Sequence, residues 1–134
     1  MKADREAIFP AGGRALYDKH RYSAAIRSGD MLFVSGQVGA REDGSPEPNF
    51  EKQVKLALER LQAVLDAASS GFDDVLDVTM FFTNPEAQAK TAITAYQKAF
   101  DQTPYPAVTA VGVTYLSGFD FEIKVVARAP RGAE

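Results

Sequence analysis

Phe119-Asp120-Phe121-Glu122-Ile123-Lys124-Val125-Val126-Ala127 alternates apolar and polar residues, the two-residue period of a strand with one buried face. Phe119, Phe121, Ile123, Val125 and Ala127 point one way and Asp120, Glu122, Lys124 and Arg128 the other. The strand predicted from Phe119 to Ala129 therefore carries Glu122 on the face away from the aromatic core. Just upstream, Thr103-Pro104-Tyr105-Pro106-Ala107-Val108-Thr109 holds two prolines that exclude helix and leads into a second predicted strand, Ala107 to Val113.

Further back, Val75 to Thr83 is a β-rich run with apolar residues on both faces, Leu76, Val78, Met80 and Phe82 against Val75 and Phe81, as expected of a central strand. The helix after it begins at Asn84-Pro85, a capping residue before a proline at the first helical position, and buries Ala89, Ile93, Tyr96 and Phe100. An earlier helix is read from Phe50, Val54, Ala57, Leu58, Leu61, Leu65 and Ala68 at three- and four-residue spacing, capped by Asn49 and stopped by Gly71. Arg41 to Pro48 is an exposed loop, and Tyr22 to Arg27 and Met31 to Gln37 form a hairpin around Ser28-Gly29-Asp30. Residues from about 1 to 19 read as an irregular arm.

The order is ββαβαββ: an α+β, two-layer sandwich with two helices on one face of a mixed sheet, in one domain spanning residues 1–134. Helices on one face leave the other uncovered. The second apolar face of the central strand predicts that this surface is buried against other subunits.

Composition narrows function. Of 134 residues 46% are hydrophobic, enough for a real core. Lys and Arg total 15 against 18 Asp and Glu, so no global basic field attracts nucleic acid or an anionic membrane. Cysteine is absent, which removes disulfides, thiol nucleophiles and thiolate metal sites; a single histidine, His20, excludes a His-rich zinc site. The charged start Met1-Lys2-Ala3-Asp4-Arg5-Glu6 lacks the apolar core of a signal peptide, and no run reaches membrane-spanning length. The expectation is a soluble, cytoplasmic protein with no metal, no cofactor, no nucleic-acid partner and no membrane association.

The hairpin Tyr22-Ser23-Ala24-Ala25 to Val34-Ser35-Gly36-Gln37, the Val75 to Thr83 strand, the Tyr96 to Phe100 helix end, Pro106-Ala107 and Phe121-Glu122-Ile123 together resemble the Rid family, also called YjgF/YER057c/UK114 or L-PSP, over roughly residues 20 to 129. The resemblance implies a chorismate-mutase-like fold and a homotrimer with sheets around a central barrel. It also implies small-molecule clefts between adjacent subunits. The family's enamine/imine deaminases are hydrolases that convert short 2-imino acids to 2-keto acids and ammonia. That chemistry needs a cation for the substrate carboxylate, a group to position water at the imine carbon, and a donor for the nitrogen.

Carried over by the resemblance, Glu122 is the water-ordering catalytic carboxylate, Tyr22 the cleft tyrosine, and Ser35-Gly36 the strand end lining the cleft. Two positions depart from the pattern. Val108 stands where the deaminases have the carboxylate-holding Arg, and Ile93 where they have an Asn. Losing a charge-assisted bidentate contact removes about 1.5 to 3 kcal/mol of interaction, roughly a tenfold to hundredfold weaker hold on a small carboxylate. Substitute cations are sought beside Tyr22, at His20 and Arg21; alternation puts His20 on the side of Tyr22, and Arg21 with Arg27 on the other. Tyr105 and Tyr115, near Gly112 and Gly118, can shape an aromatic pocket.

By alternation alone Glu122 is a solvent-facing strand residue and Tyr22 a packing residue with its hydroxyl at the rim. Three functions stay open: a Rid-type deaminase of altered specificity, a non-catalytic metabolite-binding protein, and an endoribonuclease or translation inhibitor. The last fits least, since the chain has one histidine and no basic patch interleaved with aromatics.

Overall fold

A computed structural model of the chain describes residues 4–129. Its strands are β1 (Glu6–Ile8), β2 (Ala25–Ser28), β3 (Met31–Val38), β4 (Val75–Phe82), β5 (Ala107–Gly112) and β6 (Phe121–Arg128), and its helices are α1 (Arg14–His20), α2 (Phe50–Ala67) and α3 (Pro85–Ala99). They build one six-stranded sheet in the order β1-β2-β3-β6-β4-β5. Every pairing is antiparallel except β4 with β5. The fold is thus the expected α+β arrangement with a mixed sheet.

The alternating strand lies near the middle of the sheet, between β3 and β4. Phe121, Ile123, Val125 and Ala127 are buried, and Glu122, Lys124, Val126 and Arg128 are on the opposite face. The core lies between the first set and α2, whose Val54, Ala57, Leu61, Val64 and Leu65 are fully buried. The Asn49 side chain accepts a hydrogen bond from the Lys52 amide at 2.9 Å, capping α2 as its composition predicts.

Several local expectations are corrected. The arm read as irregular contains strand β1, which pairs with β2, and helix α1; its first three residues lie outside the described residues. Neither element leaves a periodic apolar signal, because β1 is three residues long and α1 buries no residue. There are therefore three α-helices among the described residues, and the order gains a strand and a helix at its start. The first hairpin strand begins at Ala25, after a left-handed residue, Arg21 (φ 61°), closes α1. Alternation consequently does not govern His20, Arg21 and Tyr22.

Gly71 does not stop α2: Ser69 (φ 57°) turns the chain, and the amides of Ala68 and Ser70 both donate to the Leu65 carbonyl. A bulge in β4 between Val75 and Asp77 resets the alternation, so Leu76 is exposed while Val78, Met80 and Phe82 are buried. On α3 the predicted Tyr96 and Phe100 do face the core, joined by Ala92, Ala95 and Ala99, but Ile93 does not and is 37% exposed. Small residues let the helix approach closely, which rotates Ile93 outward. The Asn84 side chain makes no cap; the Gln88 side chain reaches back to accept from the Asn84 amide at 2.9 Å.

The sheet face away from the helices is partly apolar. Phe33 is 46% exposed and Val111 37% exposed, and the whole length of β5, at the sheet's edge, is exposed.

Candidate functional site

The site is built on a distortion of β3. Pairing with β6 runs regularly through Val34 opposite Val125, then breaks and resumes at Gln37 opposite Ile123. Ser35 and Gly36 therefore bulge across from Lys124. The bulge is held by the Ser35 hydroxyl donating to the Ser23 carbonyl at 2.7 Å, the Ser35 amide donating to the Ala24 carbonyl at 2.9 Å, and the Gln37 side chain donating to the Ser35 carbonyl at 3.0 Å.

Glu122 leans from β6 onto this bulge. A β-carbon at Gly36 would clash with the Glu122 carboxyl group, so the missing side chain is what admits the carboxylate. Among the described residues Glu122 has no ion-pair or hydrogen-bond partner, and it is half-buried on the sheet face. Burial pushes its carboxyl above the ordinary 4.5, with the Lys124 ammonium pulling the other way. Tyr22 joins the same group. Burial first, then the Tyr17 phenol and the Glu122 carboxylate, raise its hydroxyl above the usual 10.0, so it remains a hydrogen-bond donor at neutral pH. Its ring meets that of Tyr17 edge-on at 4.9 Å.

The structure thus brings Glu122, Tyr22, Ser35 and Gly36 together. It does not bring Val108 to them within one chain. Val108 pairs with Val78, which pairs with the buried Val125, so Val108 is on the helix side of the sheet; Glu122 pairs with Phe81, which in turn pairs with Val111, on the other side. Ile93 on α3 belongs to the helix layer too. Tyr105 lies in the loop before β5, 64% exposed, and Tyr115 is 74% exposed. His20 and Arg21 end α1 in exposed positions. Arg27 is engaged elsewhere, donating to Glu6 at 3.1 Å and to the Ala68 carbonyl at the end of α2 at 2.8 Å.

Two residues of this group are not among the expected site residues. Tyr17 lies in the stretch taken as irregular, which hid it. Lys124 was visible as the residue two positions after Glu122 on the same strand face. Among the described residues no group of three or more His, Asp or Glu side chains is placed to hold a metal ion. No helix there is long and apolar enough to cross a membrane. A partly open pocket of about 180 Å³ lies on the helix side, lined by Phe72, Val75, Phe100 and Pro104, away from Glu122.

The family described as Endoribonuclease L-PSP matches residues 12–129. The chain is 61% identical to the RutC family protein YjgH of Escherichia coli over 127 residues, 95% of this chain and 97% of that protein. It is 31% identical to the 2-iminobutanoate/2-iminopropanoate deaminase of Dermatophagoides farinae over 97 residues, 71% of this chain and 74% of that one. A solved structure of protein YJGH superimposes with a TM-score of 0.90 at 60% identity, covering 97% of this chain and 100% of that chain. The Rid family protein YyfA of Yersinia pestis superimposes with a TM-score of 0.78 at 30% identity, covering 92% and 98%. The family match over residues 12–129, together with the identity and fold shared with these relatives, makes this chain a member of the Endoribonuclease L-PSP family, the Rid or YjgF family.

Proposed function

We propose that the chain is a hydrolase of 2-imino acids and their enamine precursors, working in clefts completed between copies of itself, with a specificity shifted toward substrates bearing a larger apolar substituent. The observation that carries this reading is Glu122: a half-buried, unpaired carboxylate with a raised proton affinity, set on Gly36 beside the Tyr22 phenol. A carboxyl pushed toward neutrality is suited to take a proton from water and return it.

The reaction balances simply. Glu122 accepts a proton from water as the water oxygen bonds to the imine carbon, and the nitrogen gains a proton with help from the Tyr22 hydroxyl. Collapse of the resulting carbinolamine breaks the carbon–nitrogen bond, releasing ammonia and leaving a 2-keto acid. No electrons are exchanged with an outside acceptor.

Two features support a site shared between copies. Val108 and Ile93 are on the helix side of the sheet and Glu122 on the other, so a second chain is needed to bring them to one cleft. The partly apolar face around Phe33 and Val111 offers the surface on which copies would meet, and a trimer is the assembly that the family resemblance implies. With apolar Val108 and Ile93 as lining, a bulky apolar substituent is preferred to a methyl group. The relative from Dermatophagoides farinae, named for 2-iminobutanoate and 2-iminopropanoate, supports the reaction class.

The test is turnover. Imino acids are generated in place from alanine, 2-aminobutyrate and leucine by an amino-acid oxidase, and keto-acid release is followed with and without the protein. Accelerated release, greatest for the leucine-derived imine, is expected. No acceleration across the panel, with 2-keto acid binding retained, would instead identify a binding protein.

A further inference from the structure

The deaminase reading leaves one requirement unfilled, a cation for the substrate carboxylate. Arg128 shares the sheet face of Glu122 but is tied to Asp30 at 2.6 Å. Arg27 is tied to Glu6 and Ala68. His20 and Arg21 are exposed at the end of α1, outside the sheet.

Lys124 remains. It stands on β6 two positions from Glu122 and on the same face. Its side chain crosses to the same bulge, where its ammonium lies 3.5 Å from the Val34 carbonyl, a long contact that leaves its donors available. On the other side it is paired with Thr79 of β4, whose neighbour on that face, Asp77, is exposed and in no ion pair among the described residues. Lys124 and Glu122 thus border the same notch in β3 from adjacent positions, one cationic and one anionic.

We infer that Lys124 is the residue that holds the substrate carboxylate, taking the part for which Val108 carries no charge. This rests on the deaminase reading and specifies its substrate. A lysine ammonium is a compact point charge on a flexible stem and does not demand the planar, bidentate fit of a guanidinium. With the carboxylate drawn toward β6, the substituent at the far end of the molecule is left for the apolar lining of Val108 and Ile93. The substrate class is therefore a 2-imino acid with a branched or extended apolar side chain, anchored at the end nearest Glu122.

The experiment uses the full chain and two readouts. The first is calorimetric titration of wild type, Lys124→Gln and Lys124→Arg with 4-methyl-2-oxopentanoate, and of wild type with the uncharged ketone 4-methyl-2-pentanone. Wild type is expected to bind the keto acid at least tenfold more tightly than the ketone. Lys124→Gln should lose that tenfold preference, and Lys124→Arg should keep most of it. The second readout is turnover of the leucine-derived imine, where Lys124→Gln should raise KM about tenfold or more with kcat changed much less.

Equal affinity of wild type and Lys124→Gln for the keto acid, or an unchanged KM, overturns the assignment. So does absence of keto-acid binding by wild type. If binding depends on Lys124 but no imine is turned over, the assignment stands and the deaminase reading fails. Circular dichroism melts confirm folding, and retention of binding by Lys124→Arg separates loss of charge from loss of structure.

Discussion

A carboxylate at position 122 works against the fold that holds it. Glu122 is half-buried without an ion pair, and burial raises its proton affinity above that of an unfolded glutamate. Below about the ordinary value of 4.5 both states hold the proton and the fold bears no penalty. As pH rises, the unfolded chain releases its proton first, so stability declines through the window up to the raised folded value. Glu122→Gln should therefore melt at a higher temperature than wild type at pH 8 while matching it more closely at pH 4. The same variant should lose about 100-fold or more of imine hydrolysis. A variant less stable than wild type at pH 8 would show that the charge is compensated by contacts other than those described. For wild type, the acidic limb of kcat/KM should fall above pH 4.5, because the base must be ionised to work.

At this scale the sequence was informative about identity and poor about company. Alternation placed Glu122 and Lys124 on one face. It did not say that Gly36 vacates the space for one of them, because a glycine with an ordinary backbone angle carries no sign of a close approach in its letter alone. Tyr22 came to the site by resemblance. Tyr17 was missed because α1 buries nothing and so has no periodic stripe.

Among the elements, α2 and β6 were legible almost residue by residue, since each buries a single continuous face over many residues. The parts that were misread have local causes. The β4 bulge changes parity partway along the strand, and α3 packs through alanines, whose small side chains give a weak apolar signal compared with Ile93. The buried Gln53 on α2 is a third case, a polar residue in an apolar stripe. It is 1% exposed, and its carbonyl oxygen accepts from the amides of Asp120 at 2.8 Å and Phe121 at 3.1 Å. Its amide nitrogen donates to the Glu47 carbonyl at 2.8 Å. One side chain thereby joins the loop before α2, the helix itself and the start of β6, just ahead of Glu122. Gln53→Leu keeps the volume but strands those backbone groups, at about 1–3 kcal/mol each. Chemical denaturation should show a loss of roughly 3 kcal/mol or more in total. A loss below 1 kcal/mol would mean that the amides find other partners.

On the scale of the whole molecule, the sheet explains why the sequence pointed beyond one chain. Helices α2 and α3 cover one face, and the other presents Phe33, Val111 and half-buried Phe81. What the sequence does not display is that Val108 and Glu122 lie on opposite sides of one sheet, so that a cleft lined by both would need a second chain. If copies meet on that face, equilibrium sedimentation should give three times the 14.5 kDa mass of the chain. Phe33→Glu, which puts a charge on the meeting surface, should shift the distribution to monomer and abolish turnover together. A monomeric wild type that still hydrolyses imines would refute the shared cleft.

The exposed edge strand has a cost that operates before any substrate arrives. Ala107-Val108-Thr109-Ala110-Val111-Gly112 contains no charge and no proline, is uncovered on both faces, and leaves one rim of backbone donors and acceptors open at the margin of the sheet. A segment of that kind is one that a newly made chain can pair with indiscriminately, in the manner of a growing fibril. A charged residue at position 108 would blunt that tendency, and valine does not. Valine in place of a charge at this position thus bears on folding as well as on the proposed pocket, because it leaves the edge open to mispairing.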